Sequence, residues 1–379
     1  MPKPTSRHQI QAESDVGRAE GAASEVKFLG REAATIHWLL MRAAFYAGNR
    51  TITSGPCEPV APGPGEVQIR VSHCGICGTD LHIFHGNMDH RVKMPQVLGH
   101  EMSGVIESTG DGVSYAKGDR VTVMPLDPCG ACPACRAGNS HVCQKLKFIG
   151  IDTPGAMQTL WTVPAHTLHR IPEELSLTHG ALIEPIAVAC HDVRLGELKR
   201  GEYAVVLGGG PIGTLVAMVA REVGAHVVVS EVNPFRVKML EALGFEVVNP
   251  RETDLEKYVN AATKDAGADI VFEVSGAAAV AESMTQLLRV RGRIVLVAVY
   301  AKPTPVNLHR FFWRELRLIG ARVYEHEDFA QAIALAARPE LQFEKLITDV
   351  YSLDRLEAGF LEMEKGGSVM KILLDCSGN

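Results

Sequence analysis

Residues 203–231 read YAVVLGGGPIGTLVAMVAREVGAHVVVSE. Ala204–Leu207 is a short apolar run that ends in a glycine turn. A helical stretch, Ile212–Val223, follows, and Val227–Ser230 is a second apolar run. A strand, a turn, a helix and a strand in that order make one βαβ unit. The pattern continues: strands are predicted at Glu246–Val248, Ile270–Glu273, Ile294–Val299 and Leu316–Ala321, with helices at Phe235–Leu243 and Ala278–Arg289 between them. Alternation of this kind predicts a doubly wound parallel sheet, an α/β architecture.

Within that unit Gly208-Gly209-Gly210-Pro211-Ile212-Gly213 has the form G-x-G-x-x-G, placed after a strand and opening a helix. Gly208 makes the tight turn, Gly210 lets backbone approach a pyrophosphate, and Gly213 lets the helix pack on the strand. Pro211 and Ile212 open the helix whose free N–H groups face the phosphates. Glu231 ends the second strand, where a carboxylate accepts hydrogen bonds from ribose hydroxyls and repels a 2′-phosphate. NAD is therefore expected over NADP. Arg236 lies close enough to greet that phosphate, or to flank the adenine ribose.

Upstream, the chain is β-rich and irregular. Met41–Tyr46 reads as a first strand. VAPGPGEVQIRV at Val60–Val71 is a turn followed by an alternating strand, and short strands recur at Ser103–Ile106 and Arg120–Val123. The run DPCGACPACRAGNSHVC holds Cys129, Cys132, Cys135 and Cys143 in C-x2-C-x2-C-x7-C spacing. Four thiolates this close form a closed tetrahedral shell for a structural Zn²⁺. A second set is readable in Cys77, His100 and Glu101, where thiolate, imidazole and carboxylate suit zinc and leave a position open. Cys74 and Cys77 form a C-x2-C pair, which by spacing alone would give two ligands. Downstream of about Glu325 the sequence predicts a helix at Phe329–Ala337 and a last strand at Met370–Leu374.

The 379 residues favour two domains. A net charge of −6 with no basic stripe argues against nucleic acid and anionic membrane as partners. No apolar run is long enough to cross a bilayer. Nine cysteines, four of them in the zinc spacing and none behind a signal peptide, fit a reducing cytoplasm. Residues 1–40 are polar and read as a disordered extension, or as an over-called start with Met41 the initiator. Glu13, Asp15, Glu20 and Glu25 argue against a transit peptide.

From about Met41 to Cys376 the chain closely resembles the zinc-containing medium-chain dehydrogenase/reductase family. The motifs are CGxCGTDxH from Cys74, GHExxG from Gly99, GDRV at Gly118–Val121, the four-cysteine lobe, EPxAVA at Glu184–Ala189, and GGGPIG. The resemblance is strongest to the polyol group of sorbitol and 2,3-butanediol dehydrogenases, with L-threonine dehydrogenase as a near relative. It implies a GroES-like catalytic domain over residues 41–190 with a zinc lobe at 127–144. A Rossmann domain over 191–324 and a return to the catalytic domain over 325–379 complete it. It implies that Cys77, not Cys74, binds the catalytic zinc. Glu184 matches a glutamate that binds zinc directly or through water, or else stands behind the ligands. Thr79 matches the hydroxyl that touches the substrate alcohol, His82 the end of a proton relay, and Asp80 the carboxylate that orients His100. Val297 and Val299 fall with the cofactor-binding residues, and Phe84 and Tyr324 with the substrate pocket.

The implied reaction is hydride transfer from a secondary alcohol, a polyol or vicinal diol, to NAD⁺, the proton leaving through Thr79 and His82. Val323 precedes Tyr324 where sorbitol dehydrogenases carry an arginine, which turns the expectation from long polyols toward a shorter vicinal diol. L-threonine 3-dehydrogenase is the alternative. The longer spacing from Gly320 to Phe329 weighs against it. A non-enzymatic zinc- or nucleotide-binding role would leave Thr79, His82 and the glycine turn without a use. The resemblance further implies a homo-oligomer, tetramer or dimer, paired along the edge of the nucleotide-binding sheet near Ile294–Tyr300.

Overall fold

The computed structural model describes residues 41–300 and 302–378. The expectation of a disordered extension at 1–40 lies outside the described residues.

Two main sheets carry the fold. The first has seven strands. Leu168–Arg170, Arg120–Val123, Glu101–Thr109, Glu66–Gly75, Lys371–Asp375 and Ile347–Ser352 lie side by side, and Leu160–Pro164 also pairs with Glu66–Gly75. The C-terminal strand therefore closes the sheet that the N-terminal half begins. Leu373 pairs with Gly75, and Leu374 with Cys74. Chain ends nearly 300 residues apart thus meet beside Cys77.

The second sheet is six-stranded and wholly parallel, in the order Glu246–Val248, His226–Ser230, Tyr203–Leu207, Ala268–Glu273, Leu288–Leu296 and Arg317–Gly320. Its central strand reads AVVL without alternation because both faces are covered, and Ala204, Val205 and Val206 have no exposed surface. Each such valine contributes about 1.5–3 kcal/mol of burial. The strand order reverses between Tyr203–Leu207 and Ala268–Glu273, which opens a crevice at their carboxyl ends. Helix Pro211–Val223 begins there with Pro211 in its first turn and ends at Gly224, whose φ of 92° is the left-handed cap that only glycine takes freely.

Helix Ile183–Leu195 packs on Pro211–Val223 and on helix His326–Ala336. It runs through residues 190 and 191, where the expected catalytic and Rossmann domains meet. Two expected elements end early. The predicted helix Ala278–Arg289 stops at Ser283, passes through a tight turn and becomes strand at Leu288. Ala268 pairs with Leu288 and Ile270 with Arg293, so the sheet claims Leu288 and bulges the intervening residues. The predicted strand Ile294–Val299 stops at Leu296. Nor is that strand the edge of the sheet. Arg317–Gly320 lies outside it, so the sheet edge expected near Ile294–Tyr300 is not an edge.

At the far edge of the first sheet the His169 ring lies 4.7 Å from Phe329 and 6.1 Å from His326. Burial, with His326 nearby, pushes its pKa down to about 4. The unfolded chain then holds a proton that the folded chain lacks between about pH 4 and the ordinary value near 6.5. The contribution of His169 is complete above that window and is lost as pH falls through it. We expect a loss on the order of 2 kcal/mol once partial solvent screening is allowed for. Melting temperatures of wild type and His169→Phe, taken from pH 7 downward, test this. The variant should lose less stability on acidification, and equal slopes would refute the assignment.

Candidate active site

Cys77 ends an extended segment and begins helix Gly78–Phe84. Asp80 caps that helix. Its Oδ2 accepts the Cys77 N–H at 2.9 Å, and its Oδ1 lies 3.7 Å from His100 Nδ1. One carboxylate thus fixes the backbone of one donor residue and faces the ring of another. His100 follows Gly99, whose φ of 99° and lack of Cβ are both needed: a Cβ would stand 2.6 Å from Cys74 Sγ. Cys74 itself is buried and donates toward the Gly75 carbonyl. The His100 ring meets the edge of Phe148 at 5.2 Å.

The donor atoms of Cys77, His100 and Glu101 lie within 4.8 Å of one another. Burial alone would lower the His100 pKa, but Asp80, Cys77 and Glu184 outweigh it and raise it well above its ordinary value. A buried field this negative calls for a cation. A soft thiolate, an imidazole and a carboxylate in one buried set fit zinc. Glu184 stands in the first turn of helix Ile183–Leu195, beside this set rather than within its tightest three. Its Oε1 accepts the Tyr324 hydroxyl at 2.7 Å. Burial pushes the Glu184 carboxyl up to about 7, and a dication beside it would draw it back to the ionised form. Tyr324 has no exposed surface, and its ring lies 5.4 Å from Phe329.

Thr79 and His82 lie three apart on helix Gly78–Phe84 and so share a face. Thr79 is half-buried and His82 exposed. Phe84, expected in the substrate pocket, is 1% exposed and packs on Phe360 at 5.4 Å, with the Arg50 guanidinium 4.9 Å from its ring.

The four-cysteine lobe closes on itself. Sγ separations are 3.5 Å for Cys132–Cys135, 3.7 Å for Cys132–Cys143 and 3.4 Å for Cys129–Cys143. Thiolates about 2.3 Å from a tetrahedral zinc stand about 3.8 Å apart. Backbone N–H groups of Cys129 and Lys145 point at Cys143 Sγ, and that of Cys135 at Cys132 Sγ. The Cys132 thiol is pulled down to about 6, first by the Cys135 N–H. The lobe fits a structural zinc.

The glycine turn is built as its sequence requires. Gly208 has a φ of 104°, and a Cβ on Gly213 would stand 1.8 Å from the Gly208 carbonyl oxygen. Glu231 accepts N–H groups from Gly209 at 2.8 Å, Val232 at 2.6 Å and Asn233 at 2.8 Å. The acid therefore shapes the turn. Gly210 leaves room for Arg236, whose Nη1 would lie 3.5 Å from a Cβ there. Val297 and Val299 follow the carboxyl end of strand Leu288–Leu296, on the crevice side of the sheet, with Val299 exposed. Gly213→Ala is expected to cost about 1–3 kcal/mol in stability, because helix and turn must part. It should also weaken NADH binding at least about tenfold. Calorimetric titration with NADH beside a thermal melt checks both, and unchanged affinity would contradict the placement.

One partner escaped the sequence reading. Lys371 is buried and ion-paired to Glu101 Oε2, and it donates to the Ile76 carbonyl at 3.2 Å. The signal was available: a lone lysine in the apolar strand VMKILL.

The family described as "Alcohol dehydrogenase GroES-like domain" matches residues 63–173, and "Zinc-binding dehydrogenase" matches residues 211–338. The chain is 51% identical to 2-dehydro-3-deoxy-L-galactonate 5-dehydrogenase of Pseudoalteromonas atlantica, over 89% of this chain and 99% of that one. It is 34% identical to L-threonine 3-dehydrogenase of Pyrococcus horikoshii, over 82% of this chain and 91% of that one. The crystal structure of 2R,3R-butanediol dehydrogenase from Bacillus subtilis superposes with a TM-score of 0.82 at 32% identity, covering 88% of this chain and 99% of that one. No helix among the described residues is long and apolar enough to cross a membrane. The chain belongs to the zinc-containing medium-chain dehydrogenase/reductase family, oxidoreductases that work with zinc and a nicotinamide dinucleotide.

Proposed function

We propose that this protein oxidises a secondary hydroxyl of a polyhydroxylated sugar acid, of the 2-keto-3-deoxy class, with NAD⁺ as acceptor. The observation that carries the reading is 51% identity across 99% of a relative whose name gives that substrate. It moves the substrate from the neutral polyol or diol expected from the motifs to a polyol chain bearing a carboxylate. Arg322, exposed and two residues before Tyr324 in sequence, is the cation we assign to that carboxylate.

Cys77, His100 and Glu101 would hold the catalytic zinc, with Glu184 beside them. Cys129, Cys132, Cys135 and Cys143 would hold the structural one. When bound, the catalytic zinc polarises the substrate hydroxyl and the nicotinamide accepts hydride. Thr79 takes up the hydroxyl proton as it gives its own to the ribose hydroxyls, which hand a proton on to His82 for release to solvent. Asp80 keeps the His100 ring and the Cys77 backbone in place. Tyr324 fixes Glu184, closing the buried side of the site. Glu231 accepts from the ribose hydroxyls, which favours NAD over NADP.

The nine cysteines are all unpaired, in keeping with a reducing cytoplasm. We place the surface for a second copy at the sheet edge Arg317–Gly320, which follows a helix with Phe312 and Trp313 exposed.

Initial rates of NAD(P)H formation test the reading. The panel is 2-dehydro-3-deoxy-L-galactonate, 2R,3R-butanediol, sorbitol and L-threonine, each with NAD⁺ and NADP⁺. We expect the sugar acid with NAD⁺ to lead in kcat/KM by at least about a hundredfold, the reward for pairing a substrate charge. A lead for threonine or the diol would overturn it.

A further inference from the structure

Lys371 is one of the least exposed charged side chains in the protein, and its setting is built for it. It projects from strand Lys371–Asp375, antiparallel to strand Glu66–Gly75, which ends just before Cys77. Its ammonium pairs with Glu101 Oε2 and also donates to the Ile76 carbonyl. Side-chain exposures are 5% for the lysine and 1% for the glutamate. Gly75 keeps the space open, since a Cβ there would stand 2.1 Å from Glu101 Oε2 and 3.2 Å from Lys371 Cε. Three neighbouring elements therefore conspire to seat a cation directly behind one metal ligand.

Burying an ammonium is costly, and a methionine would fill the same space without that cost. The charge balance shows what the lysine does instead. Four acidic groups converge here: Cys77, Asp80, Glu101 and Glu184. A single dication leaves that group two charges in excess, and Lys371 removes one of them. Every carboxylate that gives its full charge to a metal holds it more tightly and leaves it less able to polarise a further oxygen. A carboxylate held by one oxygen on an ammonium gives less.

We propose that Lys371 is a positioning residue that holds Glu101 by one oxygen, limits how much of its charge reaches the catalytic metal, and so keeps that metal exchangeable and strongly polarising. The inference rests on the assignment of Cys77, His100 and Glu101 as the catalytic set.

The test uses the full-length, zinc-loaded protein and three variants: Lys371→Met, Lys371→Arg and the double variant Glu101→Gln with Lys371→Met. Zinc content, the rate of zinc transfer to dipicolinate and the pH profile of kcat/KM are measured for each. Lys371→Met is expected to keep both zincs and to release the catalytic one at least about tenfold more slowly. The pH at which its kcat/KM rises should move up by about one unit, a tenfold change. Lys371→Arg should stay near wild type on both readouts. Slow release should vanish in the double variant, which carries a neutral pair and remains informative should Lys371→Met fail to fold. Faster release or loss of the catalytic zinc in Lys371→Met would overturn the inference, as would two unchanged readouts. A wild-type protein carrying only the lobe zinc would overturn the catalytic-set assignment itself.

Discussion

Cys77→Ser should abolish activity while leaving the protein folded. A serine hydroxyl stays protonated where a thiolate would bind, so the catalytic set loses its softest donor. The remaining donors, His100 and a Glu101 already shared with Lys371, with Glu184 beside them, hold zinc far less tightly. Zinc content is expected to fall from about two ions per chain to about one. The metal's share of transition-state stabilisation, several kcal/mol, goes with it, so kcat/KM should drop at least about a thousandfold. The Asp80 cap uses the Cys77 backbone N–H, which serine keeps. The melting temperature should therefore move little. Metal analysis, kinetics and a melt on one preparation check all three, and full activity with one zinc would contradict the site.

Cys132→Ser should do the opposite, and its effect on structure is the larger of the two. Between Cys129 and Lys145 only Cys132 and Cys143 are buried, so the lobe has no apolar core of its own. Its short helix Pro133–Arg136 cannot persist alone. What holds the segment is the four-sulfur cluster, and structural zinc in such small frames supplies on the order of 10 kcal/mol of folding energy. Serine at 132 removes one zinc ligand while its hydroxyl can still accept the Cys135 N–H, so any loss of the lobe reports the metal and not the cap. We expect the lobe to unfold and to be cut by protease within residues 129–143, while the Cys77 set keeps its zinc. His141 of the lobe faces Glu325 at 3.3 Å and the His191 ring at 5.3 Å, so the lobe's loss should also loosen the packing between helices Ile183–Leu195 and His326–Ala336. Limited proteolysis with and without a chelator reads this directly. A lobe that resists protease in the variant would refute the structural role.

Much of the fold was legible because its signals are local. The run AVVLGGGPIG specifies strand, turn and helix within ten residues, and the four cysteines specify a shell by spacing alone. The elements that escaped depend on partners far away. Helix Leu308–Arg314 exposes Leu308, Phe312 and Trp313 and packs only Phe311 on the core, so its apolar residues give no helical period. Strand Ile347–Ser352 alternates poorly because it lies at the edge beside Lys371–Asp375. The sheet edge was misplaced for the same reason. Nothing within Ile294–Tyr300 reveals that Arg317–Gly320 will dock outside it. In the site, Cys77, His100 and Glu101 stood out by residue type. Lys371 did not, because its partner is 270 residues away in sequence.

The most direct test of hydride transfer uses 2-dehydro-3-deoxy-L-galactonate carrying deuterium on the carbon to be oxidised, with NAD⁺ and the zinc-loaded enzyme. Mass spectrometry of the product nucleotide should find the deuterium in the reduced nicotinamide. Deuterium released to solvent instead would mean that proton abstraction, and not hydride transfer, is the chemistry of this site.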